Sequence, residues 1–238
     1  MKMSLFRSLC AAALLLVAGQ ANADHLSLII TGAFDGPLPG GIPKVVELYA
    51  AEDIPDLSRW AVGAANNGGG SDGFESVLAG SASAGDFMYI VSGTAEFASY
   101  FAGEIPAGSL VFDTADGTSG GAASINGDDA LEVFFDSADD GTFATVGDTF
   151  GELDVDGTGQ PWDYLDGWAY RKSGTAAVAG TFVLDDWTYS GVDANDGKTT
   201  NVAPNAFPIG TYNPVPEPAS AALALLGVAA IGLRRRNG

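Results

Sequence analysis

The sequence predicts an all-β fold, a sandwich or barrel, and three observations carry that prediction. Short runs rich in β-branched and aromatic residues recur along the chain, bounded by Gly, Asp, Asn and Pro. Glycine is abundant, 33 of 238 residues, which suits tight turns between short strands. Between the two termini no long segment shows the 3.6-residue apolar period of an amphipathic helix, and no repeat of solenoid length is present.

The elements follow in order. Leu26 to Phe34 is apolar, with a break at Thr31-Gly32, and reads as the first strand. Gly36 to Pro43 is a Pro/Gly loop. Val45 to Tyr49 is a strand, and Leu57 to Val62 begins another. Alternation puts Val45, Glu47 and Tyr49 on one face, so Glu47 belongs at a sheet rim or with a partner. Asp56-Leu57-Ser58 is a turn-to-strand entry whose side-chain oxygens can bond nearby amides. Trp60 reads as a core aromatic. Asn66 to Gly73 is a glycine-rich loop, too polar to pack. Phe87 to Ser92 is a strand, and Ala95 to Phe101 has the length of one or two helical turns. Leu110–Phe112, Ala130–Phe135 and Thr142–Asp148 complete the middle. Asn126-Gly127 is a tight-turn signal before Ala130, with Asp128 and Asp129 placed to cap backbone donors. Trp168–Arg171 and Thr181–Leu184 are the later strands. Pro204 to Pro214 reads as a proline-bearing linker.

The termini are processing segments. Lys2 and Arg7 make a basic start, Leu9 to Ala18 is apolar, and Ala21-Asn22-Ala23 is an A-x-A cleavage site. Residues 1–23 are thus a secretory signal helix, read by the export translocon and signal peptidase, and the mature chain begins at Asp24. The only cysteine, Cys10, lies within it, so the mature chain has no disulfide. At the other end, residues 215–238 hold Pro216, Glu217 and Pro218, the uncharged run Ala219–Leu233, and Arg234, Arg235 and Arg236. The prolines keep the first part extended. As a helix the apolar run rises about 22 Å, a marginal span of the hydrocarbon core, and the arginines hold its end in the cytoplasm. This order resembles the PEP-CTERM sorting signal of Gram-negative bacteria. The resemblance implies a membrane-embedded exosortase as partner, transient inner-membrane anchoring, cleavage near the motif, and release to the cell surface or extracellular matrix, often beside exopolysaccharide.

Between these signals lie about 190 residues, enough for one domain with a sizeable core. The formal net charge of the whole chain is −20. Lys44, Arg59, Arg171, Lys172 and Lys198 are the basic residues of the middle region, so nucleic-acid phosphates and anionic lipid surfaces are repelled. Apolar and aromatic content is too high for disorder.

Five segments, in order, resemble the lamin-tail domain of secreted bacterial proteins. They are Lys44-Val45-Val46-Glu47-Leu48-Tyr49, Asp56-Leu57-Ser58-Arg59-Trp60, Ala84-Gly85-Asp86-Phe87-Met88-Tyr89-Ile90-Val91 and Asn126-Gly127-Asp128-Asp129-Ala130-Leu131-Glu132-Val133. The fifth runs from Gly147-Asp148-Thr149-Phe150-Gly151 to Asp166-Gly167-Trp168-Ala169-Tyr170-Arg171. The resemblance implies an immunoglobulin-like β-sandwich over residues 24–203 with a binding or scaffolding role and no enzyme activity.

Candidate chemistry is sparse. Carboxylates cluster in three loops: Asp136, Asp139 and Asp140; Asp154 and Asp156; and Asp193 with Asn195 and Asp196. Oxygen ligands at such spacings suit Ca²⁺, but no EF-hand loop is completed, and solvated turn acids are the favoured reading. Asp154 and Asp156 are the exception to test, because Gly157 and Gly159 let that loop curl round an ion. Trp162, Tyr164, Trp168 and Tyr170 could stack on sugar rings or pack the core; Trp162 and Tyr164, nearest an acidic loop, are the surface candidates. A secreted carbohydrate-active hydrolase using a loop carboxylate pair is the alternative function, and no catalytic residue is assigned. His25 lies where the mature chain frays. No Gly-x-Ser-x-Gly elbow or phosphate loop occurs.

Overall fold

The computed structural model describes residues 24–113 and 121–214. The expected signal helix (1–23) and the apolar helix with its flanking motif (215–238) lie outside the described residues. Among the described residues no helix is long and apolar enough to cross a membrane.

Among the described residues ten strands form two sheets, a β-sandwich. They are β1 (Leu28–Phe34), β2 (Lys44–Ala50), β3 (Trp60–Ala65), β4 (Ser76–Val77), β5 (Phe87–Ser92), β6 (Leu110–Asp113), β7 (Ala130–Phe135), β8 (Thr145–Phe150), β9 (Trp168–Arg171) and β10 (Trp187–Tyr189). The large sheet runs β10-β9-β1-β2-β5-β6 and the small one β4-β3-β7-β8. Neighbours pair antiparallel except β5 and β6, which are parallel. A parallel pair needs a crossover, and the helix α1 (Thr94–Tyr100) lies within it.

Burial explains the strand sequences. Every residue of β1 and nearly every residue of β2 and β5 is buried, so the large sheet is covered on both faces. Val46, Leu48, Met88 and Ile90 face the small sheet, where they meet Trp60, Val62, Leu131, Val133 and Phe150. The opposite face carries Val45, Tyr49, Phe87, Tyr89 and Val91 in a second apolar layer. In β1 the register against β2 shifts between Ile30 and Gly32. That bulge changes the parity: Leu28, Ile30 and Ala33 join the inner core, while Ile29 and Phe34 join the outer layer.

The outer layer is covered by two segments. Phe97, Tyr100 and Phe101 sit one helical turn apart on α1 and its end, so they share one face. The other cover is the chain at 204–212, expected to be a linker. The structure corrects that expectation and extends the packed domain past 203: Phe207, Ile209 and Tyr212 are buried on the sheet. The segment turns at Ile209-Gly210, with the Thr211 N–H donating to the Pro208 carbonyl at 3.2 Å, and the turn brings all three side chains to the sheet despite the prolines. Gly32 makes room for this strap, since a Cβ there would lie 2.6 Å from the Phe207 ring.

Other differences are local. Thr181–Leu184 is not a strand; Val183 and Leu184 are exposed, and the strand begins at Trp187, whose ring is buried. The glycine-rich loop after β3 does pack, because Gly68 allows its backbone against that of Val155 and Asp156, and the Gly70 N–H donates to the Leu153 carbonyl at 2.9 Å. His25 sits in a short 3-10 turn, Asp24–Leu26, with its carbonyl against Gly147 of β8.

Turn chemistry matches the sequence at two places. Asp56 accepts the Ser58 N–H at 2.9 Å. Asp129 accepts the N–H groups of Asn67 and Asn126 at 2.8 and 3.0 Å, whereas Asp128 takes the Thr158 hydroxyl instead of an amide. Gly127 between them has φ +88°, and a Cβ would lie 2.2 Å from the Leu165 Cα. Gly127→Ala is therefore expected to lower stability by roughly 2–4 kcal/mol, from left-handed backbone strain and a backbone clash. Urea unfolding would measure this, and a loss below ~1 kcal/mol would contradict the packing described.

Candidate functional site

Three groups of residues could carry chemistry: aromatic rings, loop carboxylates and buried ionisable groups. The rings do not form a surface. Trp162 and Tyr164 are 2 % and 0 % exposed. They pack edge-on to Phe150 with centroids 6.1 and 5.6 Å away, within the core between the sheets. Their assignment as sugar-stacking surface residues is thus corrected; the reason is that Gly157 admits the Trp162 ring against the loop that precedes it. Trp168 and Tyr170 are buried too, on the outer face of the large sheet.

Asp154 and Asp156 are exposed. Asp156 accepts the Thr158 N–H at 2.9 Å; bonding to that amide and to the Thr158 hydroxyl lowers its pKa, as for an ordinary turn acid. The structure groups a different trio. Carboxylate oxygens of Asp166, Asp193 and Asp196 all lie within 4.8 Å of one another. Two backbone bonds close this corner: Asp193 N–H to the Leu165 carbonyl at 2.8 Å and Asn195 N–H to the Asp166 carbonyl at 3.0 Å. Among the described residues these three can offer oxygen ligands to a hard cation from one place. Partial burial, then the charges of Asp196 and Asp193, raise the Asp166 pKa. Sequence proximity marked Asp193 and Asp196 but not Asp166, which arrives from the turn before β9.

Three sets of ionisable groups inside the fold are engaged with one another. Glu47 is fully buried at the centre of the outer layer. Its Oε1 accepts the hydroxyls of Thr31 and Tyr170, both at 2.8 Å, and its Oε2 accepts the Gly210 N–H at 2.7 Å. The Tyr170 oxygen in turn accepts the N–H groups of Thr211 and Tyr212. Burial pushes the Glu47 pKa up to about 7, against the lowering by these donors. The expectation of a rim or a partner is met by the partners, at a central strand. Asp35, beside Lys44 at 3.2 Å, is raised to about 6, with burial outweighing the ammonium.

Arg171 of β9 and Asp148 of β8 form a buried ion pair at 2.6 Å. The β1–β9 ladder stops at Gly32, and this pair serves the backbone beyond it: Arg171 Nε donates to the Ile30 carbonyl at 2.7 Å, and the Ile30 N–H donates to Asp148 Oδ2 at 2.9 Å. The guanidinium also lies over the Trp187 ring at 4.6 Å.

Hollows among the described residues open to solvent. One, of about 240 Å³, lies at the Glu52–Asp56 loop over Trp60 and Phe135. Another, of about 330 Å³, is lined by Lys44, Asn66, Asn67, Asn126 and Asp129. In the first, Arg59 already donates to the Asp136 carbonyl and lies over Phe135. In the second, both oxygens of Asp129 hold backbone amides.

The remaining candidates are the sorting residues. Pro216, Glu217, Pro218 and Arg234–Arg236 lie outside the described residues, as do Ala21 and Ala23 of the expected signal cleavage site. Comparison with known families matches residues 214–236 to the PEP-CTERM protein-sorting motif. No curated protein and no solved structure matches the chain. The match begins at Pro214, two residues beyond the buried Tyr212. It marks the chain as an exported protein addressed to an exosortase and anchored transiently in the membrane before processing.

Proposed function

We propose that this protein is released by exosortase processing and works at the cell surface or in the extracellular matrix as a non-enzymatic binding or structural β-sandwich, in the setting of exopolysaccharide or biofilm. The sorting motif at 214–236 carries this reading. The interior supports the non-enzymatic part. Glu47 and Asp35, whose pKa values burial raises to about 7 and about 6, are buried and bonded to protein partners, whereas a general acid must reach substrate from a cleft. The immunoglobulin-like, lamin-tail-like type of sandwich is part of the same proposal. Its support is that the five resembling segments fall in order on β2, the entry to β3, β5, β7, and the β8–β9 region. The division proposed is a signal peptide at 1–23, a sandwich that includes the strap, and a sorting tail from 215.

The test uses Glu217→Ala in a host that expresses an exosortase. The variant is expected to stay in the membrane fraction with its tail intact, while the native chain is recovered processed. Equal processing of the two chains would refute the reading.

A further inference from the structure

The strap leaves almost no free chain between the folded domain and the sorting motif. Its hold is extensive. The Phe207 N–H and C=O are both bonded by the Asn201 side chain, at 2.7 and 2.9 Å. The Asn201 N–H is fixed to the Tyr100 carbonyl at the end of α1. The Phe207 ring packs on Phe34 and Tyr170 with centroids 5.5 and 5.3 Å apart. Gly210, Thr211 and Tyr212 then donate to Glu47 and Tyr170, and the Tyr212 hydroxyl donates to the Thr175 carbonyl. The Asn213 carbonyl accepts the Gly174 N–H at 2.9 Å.

Pro216 follows Tyr212 by four residues, a reach of at most about 14 Å, and the apolar run starts at Ala219, at most about 25 Å away. With the strap docked, so short a tether keeps the sorting motif within that distance of the folded domain. Undocking back to Asn201 lengthens the reach to Pro216 to about 54 Å at most.

Resting on the reading of the tail as an exosortase substrate, we propose that the docked strap restrains processing, and that the sorting motif becomes freely accessible only when residues 204–212 leave the outer face of the large sheet. The strap is then a tether of two lengths. Burial of Phe207, Ile209 and Tyr212 keeps the long form rare. After cleavage the strap stays on the sheet, and the released domain ends in a short stub.

The full chain in membranes containing an exosortase tests this by pulse-chase, with the rate of tail removal as readout. A short Gly-Ser insertion between Asn213 and Pro214, ahead of the matched motif, lengthens the tether without touching the fold. Phe207→Ala weakens the strap itself. Both are expected to be processed several-fold faster than the native chain, the insertion variant with an unchanged melting temperature. A native rate in the insertion variant overturns the proposal, and so does a native rate in Phe207→Ala. Glu217→Ala in the same assay reports separately on the exosortase reading: it abolishes removal if that reading holds, whatever the tether variants do.

Discussion

Replacing Arg171 with Met is expected to destabilise the sandwich by roughly 3–5 kcal/mol, the usual loss when one partner of a buried ion pair is removed. The reason lies in what remains. Asp148 keeps its place in the interior, with its pKa already raised by burial and lowered again chiefly by Arg171. Without the guanidinium that carboxylate has no counter-charge. The Ile30 carbonyl loses its 2.7 Å donor, and the Trp187 ring loses the cation above it. Arg171→Lys is also expected to fail. One ammonium cannot reproduce the fork that meets the Ile30 and Ala176 carbonyls and Asp148 together. Adding Asp148→Asn to Arg171→Met removes the stranded charge and should recover part of the loss, because the amide oxygen can still accept the Ile30 N–H. The sign with pH is fixed too. Burial already holds the folded-state pKa of Asp148 above its unfolded value, and losing Arg171 raises it further, so the deficit of Arg171→Met is larger at neutral than at acid pH. Denaturant unfolding of the single and double variants measures all of this. A single-variant loss under ~1 kcal/mol, or a double variant no better than the single, would contradict the assigned role.

Glu47→Gln is expected to lower stability most at acid pH and least above neutrality. Both carboxyl oxygens of Glu47 accept hydrogen bonds from donors with no other orientation available. Gly210 offers an N–H, and the Tyr170 hydroxyl, already accepting from Thr211 and Tyr212, has only its proton to give. Neutral Glu47 keeps both acceptors and can turn its own proton to Thr31. Gln has one acceptor, so its NH₂ faces a donor, at a cost of about 1–3 kcal/mol. The native chain carries an opposing cost. The Glu47 pKa is raised from 4.5 to about 7. Between those values the unfolded chain releases its proton and the folded chain retains it, so native stability falls as pH rises. The accumulated loss is about 3 kcal/mol above pH 7. Gln has no such term. The gap in melting temperature between native chain and variant should therefore narrow from pH 5 to pH 8. A gap that is constant with pH would mean Glu47 does not titrate in this range.

Much of the fold was legible because local signals agreed with the global arrangement. Val45–Tyr49, Phe87–Ser92 and Ala130–Phe135 are dense in β-branched and aromatic residues and became β2, β5 and β7. The break at Thr31-Gly32 proved to be the bulge of β1. The outer layer was not legible. Phe207, Ile209 and Tyr212 stand among prolines and polar residues, and nothing local says that such a segment will lie across a sheet. The same limit applies to sites. Asp193 and Asp196 are neighbours in sequence, but Asp166 meets them through the Asp193–Leu165 and Asn195–Asp166 backbone bonds. Trp162 and Tyr164 sit beside acidic residues in sequence, yet their rings turn inward onto Phe150. The sorting motif was fully legible, because its parts are contiguous and need no tertiary contact.

The central claim is that the chain is an exported sandwich from which an exosortase removes the sorting tail. Intact-mass measurement of the protein recovered from cells with and without an exosortase tests it most directly. With the enzyme, the mass should correspond to a chain that starts at Asp24 and lacks the apolar run and Arg234–Arg236. Without it, the chain should remain in the membrane with the tail attached. A recovered chain that carries the complete tail in both cells would contradict the account.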